Sequence, residues 1–316
     1  MHRLCGYAST EKGFIRAWLQ RLASGMALAS TLLLGQTVVA AGIDGVSVTA
    51  SLLEQTGASI DEPRLEVTAG GKTLSLSRSE LLLRSQVITV QKDSAYQRTM
   101  QYRAVPISVL LPSAADHASV QFVASDGFVA NIAGQDLAGV GQAYLAIEEL
   151  AHPWPPIDAN NPHKTASAGP FYLVWLDPVA GKISNEQWPY QVAKIRVEQP
   201  LLQRYPRLAP AQINASAPAM RGLQVFLKNC AVCHKMNGAG DAEIGPDLNL
   251  PYNPTQYFQT EFLRKLIRQP SAVRTWKTSL MPGFDVKTIS NAELDDLLSY
   301  LKAMAKSQKH ESVKRQ

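Results

Sequence analysis

Only three cysteines occur in the 316 residues, and two of them, Cys230 and Cys233, stand three apart with His234 directly after the second. This spacing constrains the chain more than any other feature. Two thiols so placed at the end of a helix face one edge of a porphyrin, where each S–H can add across one vinyl group. The histidine next in sequence is then held beneath the iron as an axial ligand, which is why Cys-x-x-Cys-His reads as c-type haem attachment. Two other readings fit the surroundings less well. A structural zinc site needs four ligands, and no second Cys/His pair is present. A thioredoxin-like redox pair needs a βαβ pattern around it, and none surrounds it.

The third cysteine, Cys5, falls in a segment that reads as a secretory signal peptide over residues 1–41. Arg3, Lys12, Arg16 and Arg21 make a basic start, Leu22 to Val39 an apolar run, and Ala40-Ala41 a small-residue cleavage site. An uncleaved membrane anchor is the alternative, although Ser24, Gly25, Ser30, Gly35 and Gln36 dilute the run. Export to the periplasm is therefore expected, with membrane contact only if the segment stays attached. Removing it leaves 27 Lys/Arg against 25 Asp/Glu, and Lys306, Lys309, Lys314 and Arg315 lie in a basic tail expected over 307–316 and just before it. A body so close to neutral argues against nucleic-acid binding.

Residues 42–200 read as β-rich. Leu65–Thr68 and Thr73–Leu76 alternate around Gly70-Gly71, a hairpin signal. Ser77 followed by Glu80 is a capping box for a short helix. Further strands are expected at 86–90, 120–124, 128–132, 144–147, 171–176 and 190–197, with Asp126-Gly127 as a turn. Five prolines between His152 and Pro170 indicate a long ordered loop. Residues 201–215, rich in Pro, Ala, Gln and Leu, read as a semi-rigid linker. Beyond it the pattern turns helical at 220–228, 256–268 and 291–306. The last of these opens on Ser290 and Glu293, with Leu294, Leu297, Leu298 and Leu301 on one face. The expected fold class is two domains, a β-rich α+β domain followed by an all-α domain.

Around the pentapeptide, residues 216–306 resemble a monohaem class I cytochrome c. The resemblance rests on Gly222 and Phe226 before the motif, Gly245-Pro246-Asp247-Leu248 after it, Met281-Pro282-Gly283, and Leu297 and Tyr300 in the last helix. It implies that Cys230 and Cys233 hold one haem c covalently. His234 and Met281 are then its axial ligands, and the Pro246 carbonyl accepts a hydrogen bond from the His234 ring. Met281 lies 47 residues beyond His234; Met236 is too near to reach the opposite face, and Met304 falls in the terminal helix. Arg274 and Trp276 are candidates for approaching a haem propionate, though ordinary surface positions account for them equally well. Histidine and methionine together leave no open coordination position, so the chemistry implied is electron transfer and not bond-making.

Residues 64–198 resemble the molybdopterin-binding domain of the sulfite oxidase family. The resemblance is carried by Ser79-Glu80-Leu81, Val87–Val90, Tyr102–Pro106, Val120–Phe122, Ser125–Phe128, Gly169–Val174 and Trp188-Pro189-Tyr190. That family holds its metal through a cysteine just after the strand written here Val87–Val90. This chain has Gln91-Lys92-Asp93 there and no cysteine between residues 42 and 229. Molybdopterin is therefore not expected. Arg98, Arg103, His163 and Lys164 are candidates for an anionic ligand, against ordinary structural roles. Three functions remain open: an electron carrier between a dehydrogenase donor and a cytochrome or oxidase acceptor, a molybdopterin oxidoreductase with a fused haem relay, and a redox-sensing binding module.

Overall fold

Alternating side chains and a Gly-Gly turn make the first hairpin. Strands β1 (Arg64–Ala69) and β2 (Lys72–Ser77) pair antiparallel from Arg64 opposite Ser77 to Ala69 opposite Lys72. Gly70 and Gly71 turn the chain at φ of 56° and 71°, a region open to glycine. Ser77 then caps α1 (Arg78–Leu82), with its N–H donating to the Glu80 carboxylate at 2.7 Å and its hydroxyl accepting from Glu80 N. The computed structural model describes residues 62–158, 165–211, 215–274 and 281–313, with side chains to Ser307. The leader segment, His163, Lys164 and Trp276 lie outside them.

The remaining strands are β3 (Gln86–Val90), β4 (Met100–Pro106), β5 (Ser119–Ala124), β6 (Val129–Ile132), β7 (Ala143–Ile147), β8 (Phe171–Trp175) and β9 (Val192–Glu198), with the short helices α2 (Ile107–Leu110) and α3 (Gly134–Leu137) between them. One sheet runs β2-β1-β9-β5-β6 and the other β3-β4-β7-β8. Every pair is antiparallel except β1 with β9. Leu65, Val67, Phe122 and Ile195 of the first sheet share one continuous core with Tyr102, Leu145, Phe171 and Trp175 of the second. Strand β8 is buried along its whole length, which explains its unbroken apolar run Phe-Tyr-Leu-Val-Trp.

The stretch read as a linker does more than span a gap. It folds into α4 (Leu201–Arg204) and a short turn at Pro206–Leu208, and buries Leu201 and Leu208 in the helical core. Helix α5 (Ala217–Asn229) follows, then α6 (Pro254–Tyr257), α7 (Thr260–Arg268) and α8 (Asn291–Val313). Residues 256–268 form two pieces rather than one helix. Asn253 caps α6 with Pro254 in its first turn, and Phe258 then leaves the helical conformation and packs against the core. The tail differs too: α8 continues to Val313, well into the segment set apart as a basic tail. Among the described residues no helix is long and apolar enough to cross a membrane.

Candidate functional site

The end of α5 brings the two thiols together. Its last turn closes through Cys230 N and Ala231 N, which both donate to the Phe226 carbonyl at 2.8 and 2.9 Å. The chain then winds on itself: Cys233 N and His234 N both donate to Cys230 O, at 3.1 and 2.8 Å. Cys230 and Cys233 emerge on this tight turn half-buried and unbonded to one another. Burial, with the charge of Glu186 added, pushes both thiols up to about 12.

His234 is held from the other side. Its Nδ1 lies 2.7 Å from the Pro246 carbonyl, which can only accept, so Nδ1 carries the proton and Nε2 keeps a free lone pair. Burial keeps the imidazole below its ordinary pKa and hence neutral, against smaller opposing pulls from Pro246 and Asp247. Gly245 is required here: a Cβ on it would lie 2.5 Å from the ring atoms Cε1 and Nδ1 of His234. Two free thiols, a neutral imidazole with an available nitrogen, and a cradle that only glycine leaves open together fit a covalently attached haem.

The loop after the motif is fastened by Asp247, already part of the Gly245–Leu248 run, and by residues that motif reading passed over. Asp247 accepts from the backbone N–H groups of Asn237, Gly238, Asn249 and Leu250 at 2.6–3.1 Å. Asn249 and Asn253, both fully buried, link to each other and donate to the carbonyls of Met304 and Leu301 in α8. Met281 is half-buried against the same helical core. The segment after it is strapped by Arg268, whose guanidinium reaches the carbonyls of Phe284 and Asp285 at 2.9 and 3.0 Å, and Ile289. Met236 and Met304 are buried as packing residues. Arg103 serves structure, donating to Ser85 Oγ and Leu82 O, and Arg98 is exposed. Arg274 has interactions of its own and is not a free cation.

The β sheets press directly on the motif. Val129 N donates to Val232 O at 3.0 Å, inside the pentapeptide, and Glu243 N donates to Gly127 O at 3.2 Å. Asp241 anchors this seam. It receives both arms of Arg204 at 2.6 and 2.7 Å, Tyr205 Oη at 2.9 Å and Gln121 Nε2 at 2.9 Å. Both members of the ion pair are more than four-fifths buried. Asp241→Ala leaves the guanidinium without its partner and is expected to lower stability by about 3 kcal/mol, read as a lower urea midpoint. An unchanged midpoint would show the seam to be held elsewhere.

A small helical unit that presents paired thiols at a helix end, with an oriented imidazole beside them, belongs to the class of c-type haem proteins. Residues 219–305 match the family model for Cytochrome c. No curated protein matched the chain. The C-terminal segment is therefore a cytochrome c domain, which implies covalently bound haem c and a haem-based role in electron transfer.

Proposed function

We propose that the protein is a periplasmic electron carrier with one haem c. It would accept single electrons from a dehydrogenase and pass them to another cytochrome or an oxidase. Haem c bound at Cys230 and Cys233 supplies reversible one-electron exchange. His234 and Met281 would hold the iron, and the thioether of Met281 would favour its reduced state. The Pro246 carbonyl keeps the His234 ring from turning, so little rearrangement accompanies each electron. The observation that carries the reading is the imidazole fixed at 2.7 Å from Pro246 beside two free thiols.

The β sheets are read as a partner-binding and positioning unit in the manner of the sulfite oxidase-like fold, without its metal. Supporting this, Asp93 lies in the stretch Gln91-Lys92-Asp93 that stands where that family places its cysteine, and its carboxylate is fully buried and already bonded to Tyr102, Tyr172 and two backbone amides. Spectra of the purified, reduced protein test the haem reading. A low-spin c-type α-band is expected, and Met281→Ala should keep the haem but lose the six-coordinate signature. An α-band that Met281→Ala leaves untouched would remove Met281 as a ligand. Stoichiometric molybdenum in the same preparation would overturn the single-centre reading.

A further inference from the structure

His234 stands on a stretch bonded almost residue by residue to the loop that follows it. Gly245 N donates to Cys233 O at 2.8 Å and Leu248 N to Lys235 O at 2.9 Å, one bond on either side of the contact between His234 Nδ1 and Pro246 O. Wherever this loop settles, the Pro246 carbonyl settles with it. Two fully buried asparagines, Asn249 and Asn253, tie its far end to α8. Asn249 Nδ2 donates to Asn237 Oδ1 at 2.7 Å and to Met304 O at 3.1 Å. Asn253 Nδ2 donates to Asn249 Oδ1 at 2.7 Å and to Leu301 O at 3.0 Å. Backbone carbonyls can only accept, so the orientation of both amides is fixed.

Leu301 and Met304 lie inside α8, where each carbonyl already serves the helix's own N–H four residues on. The helix therefore gains no cap from these bonds. What they set is the register of the loop against α8. An apolar pair would fill the space without the cost of burying two amides. A buried polar network with every donor satisfied instead fixes a single arrangement.

We propose that Asn249 is a positioning residue of the haem site, holding the Pro246 carbonyl on His234 Nδ1 by pinning the 245–250 loop to α8. The inference rests on His234 as an iron ligand, as above. A carbonyl that accepts from Nδ1–H makes the imidazole a stronger donor through Nε2, which favours ferric over ferrous iron. Asn249 acts through the backbone on both sides of the ring. Its own N–H and that of Leu250 bond the Asp247 carboxylate at 2.7 and 2.9 Å, one residue beyond Pro246. Asn237, three residues beyond His234, receives the Asn249 amide and donates its N–H to the same carboxylate at 3.1 Å.

The test uses the full-length holoprotein. Asn249→Ala should raise the midpoint potential above that of the wild type at the same pH. In the reduced protein, proton NMR should show the His234 Nδ1–H exchanging with solvent about tenfold faster, the factor expected from losing one hydrogen bond. A role confined to stability would lower the urea midpoint and leave the potential unmoved. Asp93→Ala supplies that comparison, since it weakens the β sheets and should keep the wild-type potential. If Asn249→Ala yields too little holoprotein, Asn253→Ala decides. It removes the donors to Leu301 and Asn249 but spares the bond to Met304, so the same shifts should appear at smaller size. Either variant with an intact haem band and the wild-type potential overturns the proposal alone. Wild-type protein without a c-type band overturns it together with the haem reading.

Discussion

Gly222→Ala is expected to lower stability by about 3 kcal/mol and to reduce the yield of haem-loaded protein, because the crossing of α5 and α8 has no room for a methyl group. A Cβ at 222 would collide with the Asp296 carbonyl of α8 and come within 2.8 Å of Tyr300 Cβ. The obstruction is mostly backbone, so no side-chain rotation relieves it, and the helices must part. Overpacking of this kind costs about 1–3 kcal/mol where side chains can adjust, and more where they cannot. Much is lost when they part. Leu223 and Phe226 pack here against Leu297 and Tyr300, with the Phe226 and Tyr300 rings 5.2 Å apart. Tyr300 Oη donates to Leu208 O at 2.8 Å, and Arg221 grips Asp296 at 2.7 and 2.8 Å. Since α5 ends at the attachment cysteines, displacing it also displaces Cys230. Urea unfolding followed by circular dichroism reads the first effect and haem absorbance per polypeptide the second. Met220→Ala, on the exposed side of the same helix, should change stability by less than about 0.5 kcal/mol. A Gly222→Ala protein as stable as the parent would show that the helices do not cross as closely as described.

That crossing was legible only through the resemblance to class I cytochromes c, carried by Gly222 and Phe226 before the haem motif and by Leu297 and Tyr300 in the last helix. The hairpin at Gly70-Gly71 and the capping boxes at Ser77 and Ser290 were legible from the residues themselves, because each is decided within a few positions. What escaped was decided at a distance. Strand β4 alternates only over Met100–Ala104 and closes on a proline, which weakens it as a strand signal. The Pro-rich stretch at 201–215 reads as a spacer until Leu201 and Leu208 find the helical core. Asp241 carries no local signal at all. Its partners Gln121, Arg204 and Tyr205 come from a strand and from the supposed linker, and only folding makes them neighbours. Arg268, Asn249 and Asn253 are of the same kind, polar residues whose acceptors are backbone carbonyls of distant segments.

Asp93→Ala is expected to have the larger effect on the β sheets, about 3–5 kcal/mol. The carboxylate is fully buried and serves four donors: Tyr102 Oη at 2.8 Å, Tyr172 Oη at 3.3 Å, and the backbone N–H groups of Ala95 and Tyr96 at 2.9 and 2.8 Å. Alanine removes these acceptors at once and leaves the two phenols and the Tyr96 amide facing a void, while Ala95 N keeps only Tyr172 Oη at 3.2 Å. The rings around it then lose their anchor, since Tyr102 sits edge-on to Trp154 at 4.9 Å and to Tyr172 at 6.1 Å. Asp93→Asn should be far milder. Its amide oxygen can still accept from the two backbone groups, and the Tyr102 hydroxyl can rotate to accept from the amide nitrogen. The contrast between the two variants separates bonding from charge. Burial holds Asp93 above its ordinary pKa despite its four donors, so ionisation is less favoured there than in water. By linkage, the fold draws most support from Asp93 below 3.8 and loses it as pH rises through the raised value. Asp93→Asn, which stays neutral, should flatten the stability profile in that acidic window. If Asp93→Ala costs less than about 1 kcal/mol, the polar node is not what holds the two tyrosines in place. The carboxylate would then owe its position to something other than the fold.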